Sequence, residues 1–161
     1  MKILLVGEFS RLHNSLKEGL LALGHEVVLV NNGDGFKNFP ADISIRANFF
    51  KSRLGNVPRQ IWFKLFKKDV ALLEHGIRFW WISRKLKNFD VVQFINESPI
   101  QTVSKLELFL IKRLFKQNQK VFLLCCGIDY VTVNHMLQKK ERYSIMNPYF
   151  ENIPEAKKQY D

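Results

Sequence analysis

The chain opens "MKILLVG", an apolar run closed by a glycine, and then spaces Leu12, Leu16, Leu20 and Leu23 four, four and three residues apart. The run predicts a buried strand and the spacing predicts one face of a helix. Ser10 stands where a helix N-cap belongs, and Gly24 with His25 closes the helix before "EVVLVN" starts a second, β-branched strand. "NNGDG" makes a loop and "ADISIR" reads as a short third strand. Two helices are expected next, one with Pro58 in its first turn and one capped by Asp69 and running to about Lys87. "FDVVQFIN" is apolar almost throughout, as a strand covered on both faces must be. Val103, Leu106, Leu110 and Leu114 then form the stripe of an amphipathic helix whose Lys105, Lys112, Arg113 and Lys116 lie mainly off it. "KVFLLCCG" predicts a fifth buried strand, followed by a short helix from about Asn134 and a polar end punctuated by prolines.

Strands alternating with helices, joined by right-handed crossovers, predict one Rossmann-like α/β domain over residues 1–161. The expected architecture is a doubly wound parallel sheet in the order 3-2-1-4-5, with a helical, basic and aromatic insertion between strands three and four. Such sheets bind ligands outside the carboxyl ends of their strands, where the strand order reverses. Here that crevice falls between strands one and four. Its expected rim is Gly7, Glu8, Phe9, Ser10 and Arg11 on one side, and Asn96, Glu97, Ser98, Gly127 and Asp129 on the other.

Composition narrows the class. The chain has 161 residues, enough for one domain with a proper core, and 47% of them are hydrophobic, which excludes disorder. Apolar runs such as "GLLALG" are too short to cross a bilayer, and the N-terminus lacks the long apolar stretch and cleavage site of a signal peptide. A cytoplasmic protein, soluble or peripheral, is expected. Cys125 and Cys126 are adjacent, a poor arrangement for a structural bridge or a metal, and read as reduced core thiols.

The location of the charge changes the picture more than its size. Of the formal net charge of +10, the segment from Arg46 to Lys87 carries nearly all, and it also holds Trp62, Trp80 and Trp81, the only tryptophans. Basic charge interleaved with large aromatics suits an anionic surface, either lipid headgroups or nucleic acid.

Familiar site motifs are missing. "GEFSRL" follows strand one in place of G-x-G-x-x-G, so dinucleotide binding of that type is disfavoured, and no G-x-x-x-x-G-K-[ST] occurs. A phosphoacceptor receiver would need an Asp after strand three and a Lys after strand five, where "SIRAN" and "CCGID" stand. His13, His25, His75 and His135 lack the spacing of a zinc site, so no metal is expected.

"MKILLVGEFSRLHNSLKEGLLALGHEVVLVN" resembles the N-terminal half of GT-B glycosyltransferases, in particular the large family-four type. "NFDVVQFIN" resembles the "D-V-V-H" strand of that half, and "KVFLLCCGIDY" the strand whose end faces the active cleft. The resemblance covers about residues 1–130. It implies the acceptor-binding half of a longer two-domain enzyme that moves a sugar from a nucleotide-sugar donor to a glycan or lipid-linked acceptor, in polysaccharide biosynthesis. It places the donor site, with its paired glutamates, in a C-terminal donor-binding domain, and no cofactor in this one. Glu18 and Glu26 share the eight-residue spacing of that pair but stand on a helix and a strand start, a coincidence. The chain departs from the family where Glu8 follows Gly7, since the family usually has two glycines there to admit donor phosphates. It departs again at Cys126 and Gly127, where many members carry His. Glu8, Asn96, Glu97 and Asp129 have the chemistry to anchor an acceptor hydroxyl; no catalytic residue is assigned.

In "RQIWFKLFKKD", Ile61, Trp62, Leu65 and Phe66 span an arc of about 140°, Phe63 widens it, and Gln60, Lys64, Lys67 and Lys68 take the other side. The greasy face fits three partners: the rest of the domain, an anionic membrane, or nucleic acid, the last without any recognition motif. The family resemblance, in which some members are peripheral membrane proteins, favours a membrane. Arg59, Trp62, Phe63, Lys64, Phe66, Lys67 and Lys68 are the residues expected to meet it, on the inner face of the cytoplasmic membrane.

Overall fold

A computed structural model of the protein describes residues 1–126 and 130–139. The chain divides into two compact units after Leu124. The first is a five-stranded parallel sheet in the order β3-β2-β1-β4-β5, as the alternation of strands and helices predicts. Its strands are β1 (Lys2–Val6), β2 (Glu26–Asn31), β3 (Ile43–Ser44), β4 (Val91–Ile95) and β5 (Lys120–Leu124), and its helices are α1 (Leu12–Ala22), α2 (Arg53–Phe66), α3 (Val70–Ser83) and α4 (Ser104–Gln117). The second unit holds α5 (Tyr130–Gln138), which starts four residues before the expected Asn134.

The period of two along β1 divides the core. Leu4 and Val6 face a cluster with Phe79 of α3 and Leu110 and Leu114 of α4, while Ile3 and Leu5 face Leu16 and Leu20 of α1 across Val27 and Leu29. Both faces of the central strands are thereby covered, which is why "KILLV" and "VVQFI" contain almost no polar residue.

Several local expectations change. Only the middle of the leucine stripe of α1 packs on the sheet; Leu12 and Leu23, at the ends, are exposed. Ser10 does not cap α1, because Ser10 and Arg11 both adopt left-handed backbone and no side chain of the preceding residue reaches the first turn. Pro58 lies inside α2 rather than in its first turn, since Ser52 starts the helix earlier by accepting the Gly55 N–H. Asp69 caps α3 as expected through the Ala71 N–H, but α3 stops at Ser83. β5 is not buried: among the described residues it pairs with β4 alone, and Phe122 and Leu123 are exposed. Cys125 is exposed and Cys126 half-buried, so neither is a core thiol.

Candidate functional site: the switch-point crevice and the amphipathic helix

Strand order reverses between β1 and β4, and a cavity of about 220 Å³ opens there at the carboxyl edge of the sheet. Glu8, Phe9, Asn96, Ser98, Pro99 and Gln101 line it. Gly7, just before the lining residues, has φ +88°, and an added Cβ there would meet Ile95 Cγ2 at 2.8 Å and the Pro99 carbonyl oxygen at 2.9 Å. Six of the eight non-glycine residues with left-handed backbone among those described stand in the loops along this edge: Ser10, Arg11, Asp34, Asn38, Asn96 and Gln101. Strain of this kind persists only where surrounding bonds over-determine the backbone, and here they do.

Around Ser10, Arg11 and Gln101 two buried carboxylates supply those bonds. Glu8 accepts the Phe9 N–H at 2.9 Å, the His13 N–H at 3.2 Å and the Asn14 N–H at 3.0 Å, and it also accepts the Asn14 side-chain amide. His13 and Asn14 lie in the first turn of α1, so Glu8 fills from within the place where a bound anion would otherwise meet the helix N-terminus. Glu107, in the first turn of α4, accepts the Ser98 hydroxyl at 2.9 Å, the Ile100 N–H at 2.8 Å and the Thr102 N–H at 2.7 Å. Burial pushes its carboxyl above the usual range despite these donors. Gln101 joins the two sides of the edge, its side-chain oxygen accepting from Asn32 Nδ2 at 2.7 Å.

The expected rim is therefore only partly assembled. Glu8, Phe9, Asn96 and Ser98 line the cavity, Gly7 packs against its lining residues Ile95 and Pro99, and Glu97 is exposed without forming its wall. Ser10 gives its N–H to Asp34 at 2.9 Å, and Arg11 turns to Glu18 at 2.9 Å on the surface of α1. Gly127 and Asp129 lie outside the described residues. Sequence reasoning missed Gln101, Glu107 and His13. An acid in the first turn of a helix was the available signal for Glu107; nothing in the spacing marked the others. His13 is buried, with Nδ1 donating to the Gly7 carbonyl at 2.8 Å, and burial holds its pKa below the ordinary histidine value.

The insertion forms the second candidate surface. It leaves the same carboxyl edge of the sheet after β3, and three features fix the root of α2. Glu74 of α3 accepts the N–H groups of Asn48, Phe49 and Phe50 at 2.9–3.0 Å, and Arg78 pairs with it at 3.0 Å. Gly55 lies against the Phe49 carbonyl so closely that no Cβ fits. Arg59 clamps Asp69 through Nε at 2.8 Å and a terminal nitrogen at 2.6 Å. The bond from Arg59 holds the Asp69 carboxyl below its usual range. Glu74 is pushed up by burial, but its backbone donors and Arg78 together bring it below the usual range.

Beyond these anchors α2 has little contact with the domain. Its inner side consists of Gly55, Asn56 and Arg59, while Leu54, Val57, Ile61 and Leu65, spaced as one helical stripe, are 86%, 61%, 55% and 71% exposed. Trp62, Phe63 and Phe66 are also exposed, Trp62 and Phe66 with ring centroids 4.4 Å apart. Lys64, Lys67 and Lys68 are exposed beside them, and Arg59 alone of the expected contact residues is half-buried and paired. Partial burial, with Arg46 and Arg59 nearby, pushes Lys51 below the ordinary lysine value, a mark of cations crowding the root of the helix.

A larger concavity, about 420 Å³, lies where α2 meets α3, lined by Arg59, Gln60, Phe63, Lys64 and Asp69. The smaller crevice is lined instead by the loops that follow β1 and β4. No helix among the described residues is long and apolar enough to cross a membrane. No protein-family model, curated protein or solved structure matches the chain.

Proposed function

We propose that this chain is the acceptor-side domain of a glycosyltransferase that works on the surface of an anionic membrane. The exposed apolar stripe of α2 with its flanking lysines carries this reading. Full burial of a Leu, Ile or Val side chain is worth roughly 1.5–3 kcal/mol, and each lysine against anionic lipid adds about 1 kcal/mol. A helix that leaves four such side chains in water and keeps its cations around them has the composition of an interfacial helix.

The crevice supplies the second support. Its carboxylate, Glu8, is already saturated by N–H donors and offers a phosphate repulsion rather than a cradle. Phe9, Asn96, Ser98 and Gln101 give it an aromatic ring, amides and a hydroxyl, groups that suit the hydroxyl-rich end of a glycan or lipid-linked acceptor. On this reading the nucleotide-sugar donor binds a C-terminal domain of the same protein, and α2 holds the crevice near the layer from which the acceptor is drawn.

Co-sedimentation with vesicles tests the carrying observation. The protein is expected to pellet with anionic vesicles and not with neutral ones, and Lys64→Glu with Lys67→Glu and Lys68→Glu is expected to stay in the supernatant. Equal pelleting of the two proteins would overturn the reading. Strong, salt-dependent retention on DNA with no vesicle binding would replace it by a module for nucleic acid.

A further inference from the structure

α3 presents a second apolar stripe that the opening pattern of α2 does not include. Its buried side consists of Ala71, His75, Gly76, Phe79 and Ser83, which pack toward the sheet and α4. On the opposite side Leu73, Ile77 and Trp81, four residues apart, are 39%, 49% and 62% exposed. Phe79 belongs to the buried core, and the outward stripe is not among the hydrophobic residues packed against that core among the described residues.

The charge beside the stripe has one sign. The Arg84 guanidinium lies 4.5 Å from the Trp80 ring and 5.3 Å from that of Trp81, and exposed Lys85 and Lys87 follow it. Glu74, the only acid in α3, is spent on the root of α2 and on Arg78. An indole with a cation stacked on it is suited to the level of lipid headgroups, where the ring meets the acyl boundary and the charge meets phosphate. α3 is also tied to α2, through the short connection at Lys67–Asp69 and the Arg59 clamp on Asp69.

We propose that α3 is a second membrane-contact element, with Leu73, Ile77 and Trp81 entering the interface and Arg84, Lys85 and Lys87 meeting anionic headgroups. The inference rests on the membrane reading of α2 and goes past it. One interfacial helix leaves a domain free to roll about that helix; a second contact removes this freedom and fixes which way the crevice faces. His75 of the buried side of α3 bonds the Gln101 carbonyl at 3.1 Å, so the helix that sets this orientation also touches the crevice loop.

The tryptophans make the test, because all three lie in α2 and α3. Full-length protein retaining only Trp62 (Trp80→Phe, Trp81→Phe) is compared with protein retaining only Trp81 (Trp62→Phe, Trp80→Phe), using phosphatidylserine vesicles that contain brominated phosphatidylcholine. Quenching of both is the expected result. Quenching of Trp62 without Trp81 would overturn the α3 contact and leave the α2 reading standing; quenching of neither would remove both. A second pair of substitutions, Leu73→Ser with Ile77→Ser, leaves every tryptophan in place and decides the matter even if the single-tryptophan proteins fold poorly. Affinity for anionic vesicles is expected to fall about tenfold with the circular-dichroism spectrum unchanged, and unaltered affinity would contradict the proposal.

Discussion

The loops around the crevice and the α2–α3 layer leave the same edge of one sheet, yet they are built in opposite ways. In the loops, strained backbone is held by carboxylates that accept three or four donors each, and the polar groups are turned inward. In α2, a few anchors hold one end while the apolar stripe faces out. The difference teaches what each region is organised around. The crevice keeps a shape, and α2 keeps a surface whose hydrophobic energy is unspent.

The largest effect on the folded state is expected at Glu8. Glu8→Ala removes the acceptor for the first turn of α1 and for the Phe9 N–H, leaving buried donors unpaired at about 1–3 kcal/mol each. A fall of roughly 3 kcal/mol or more in urea-unfolding free energy is expected on that basis. A loss below about 1 kcal/mol would mean that water replaces the carboxylate and that the crevice is less fixed than described.

Gly55→Ala is next, at about 1–3 kcal/mol, because the new methyl group must displace the Phe49 carbonyl. Its damage is expected to be local: amide hydrogen exchange should quicken through α2 while β1 and β4 keep their protection. Uniform loss of protection would show that α2 is more deeply integrated than its exposure indicates.

pH is expected to separate the two regions by sign. Asp69 and Glu74 have depressed pKa values in the folded protein, so their stabilising contribution is present above the ordinary carboxylate range and is lost as pH falls through the depressed values. Glu107 is raised, so its contribution is full in acid below the ordinary glutamate value and declines as pH climbs through the raised one. Acidification should therefore open the root of α2, followed by the amides of Asn48 and Phe50, before it loosens Ile100 and Thr102. Simultaneous opening would contradict the division.

The smallest effect on stability is expected from Leu54→Ser with Ile61→Ser and Leu65→Ser. Side chains already in water should change the unfolding free energy by no more than about 0.5 kcal/mol each. A thermal midpoint lowered as a core substitution would lower it would show that the stripe packs on something within the protein.

Much of this was legible in the sequence. Alternation of apolar runs and amphipathic segments gave the parallel sheet and its order, because a strand covered on both faces can carry few polar residues. The caps were legible where the capping acid adjoins its helix, as Asp69 does, and not where it reaches from four residues earlier, as Glu8 does across a left-handed turn. β5 misled because an apolar run reports a preference for burial and not whether a neighbour supplies it. The direction of α2 was illegible for the same reason: a helical wheel places Leu54, Val57, Ile61 and Leu65 on one side and says nothing of what lies opposite. The Gln101 bridge joins residues 69 positions apart and leaves no local pattern to read.

The central claim, that the outward stripe of α2 is a membrane-docking surface, is met most directly by backbone amide exchange of α2 with and without anionic vesicles. The account predicts that exchange across Arg53–Phe66 slows markedly when phosphatidylserine vesicles are added and is unchanged with neutral ones. Identical exchange in all three conditions would contradict it.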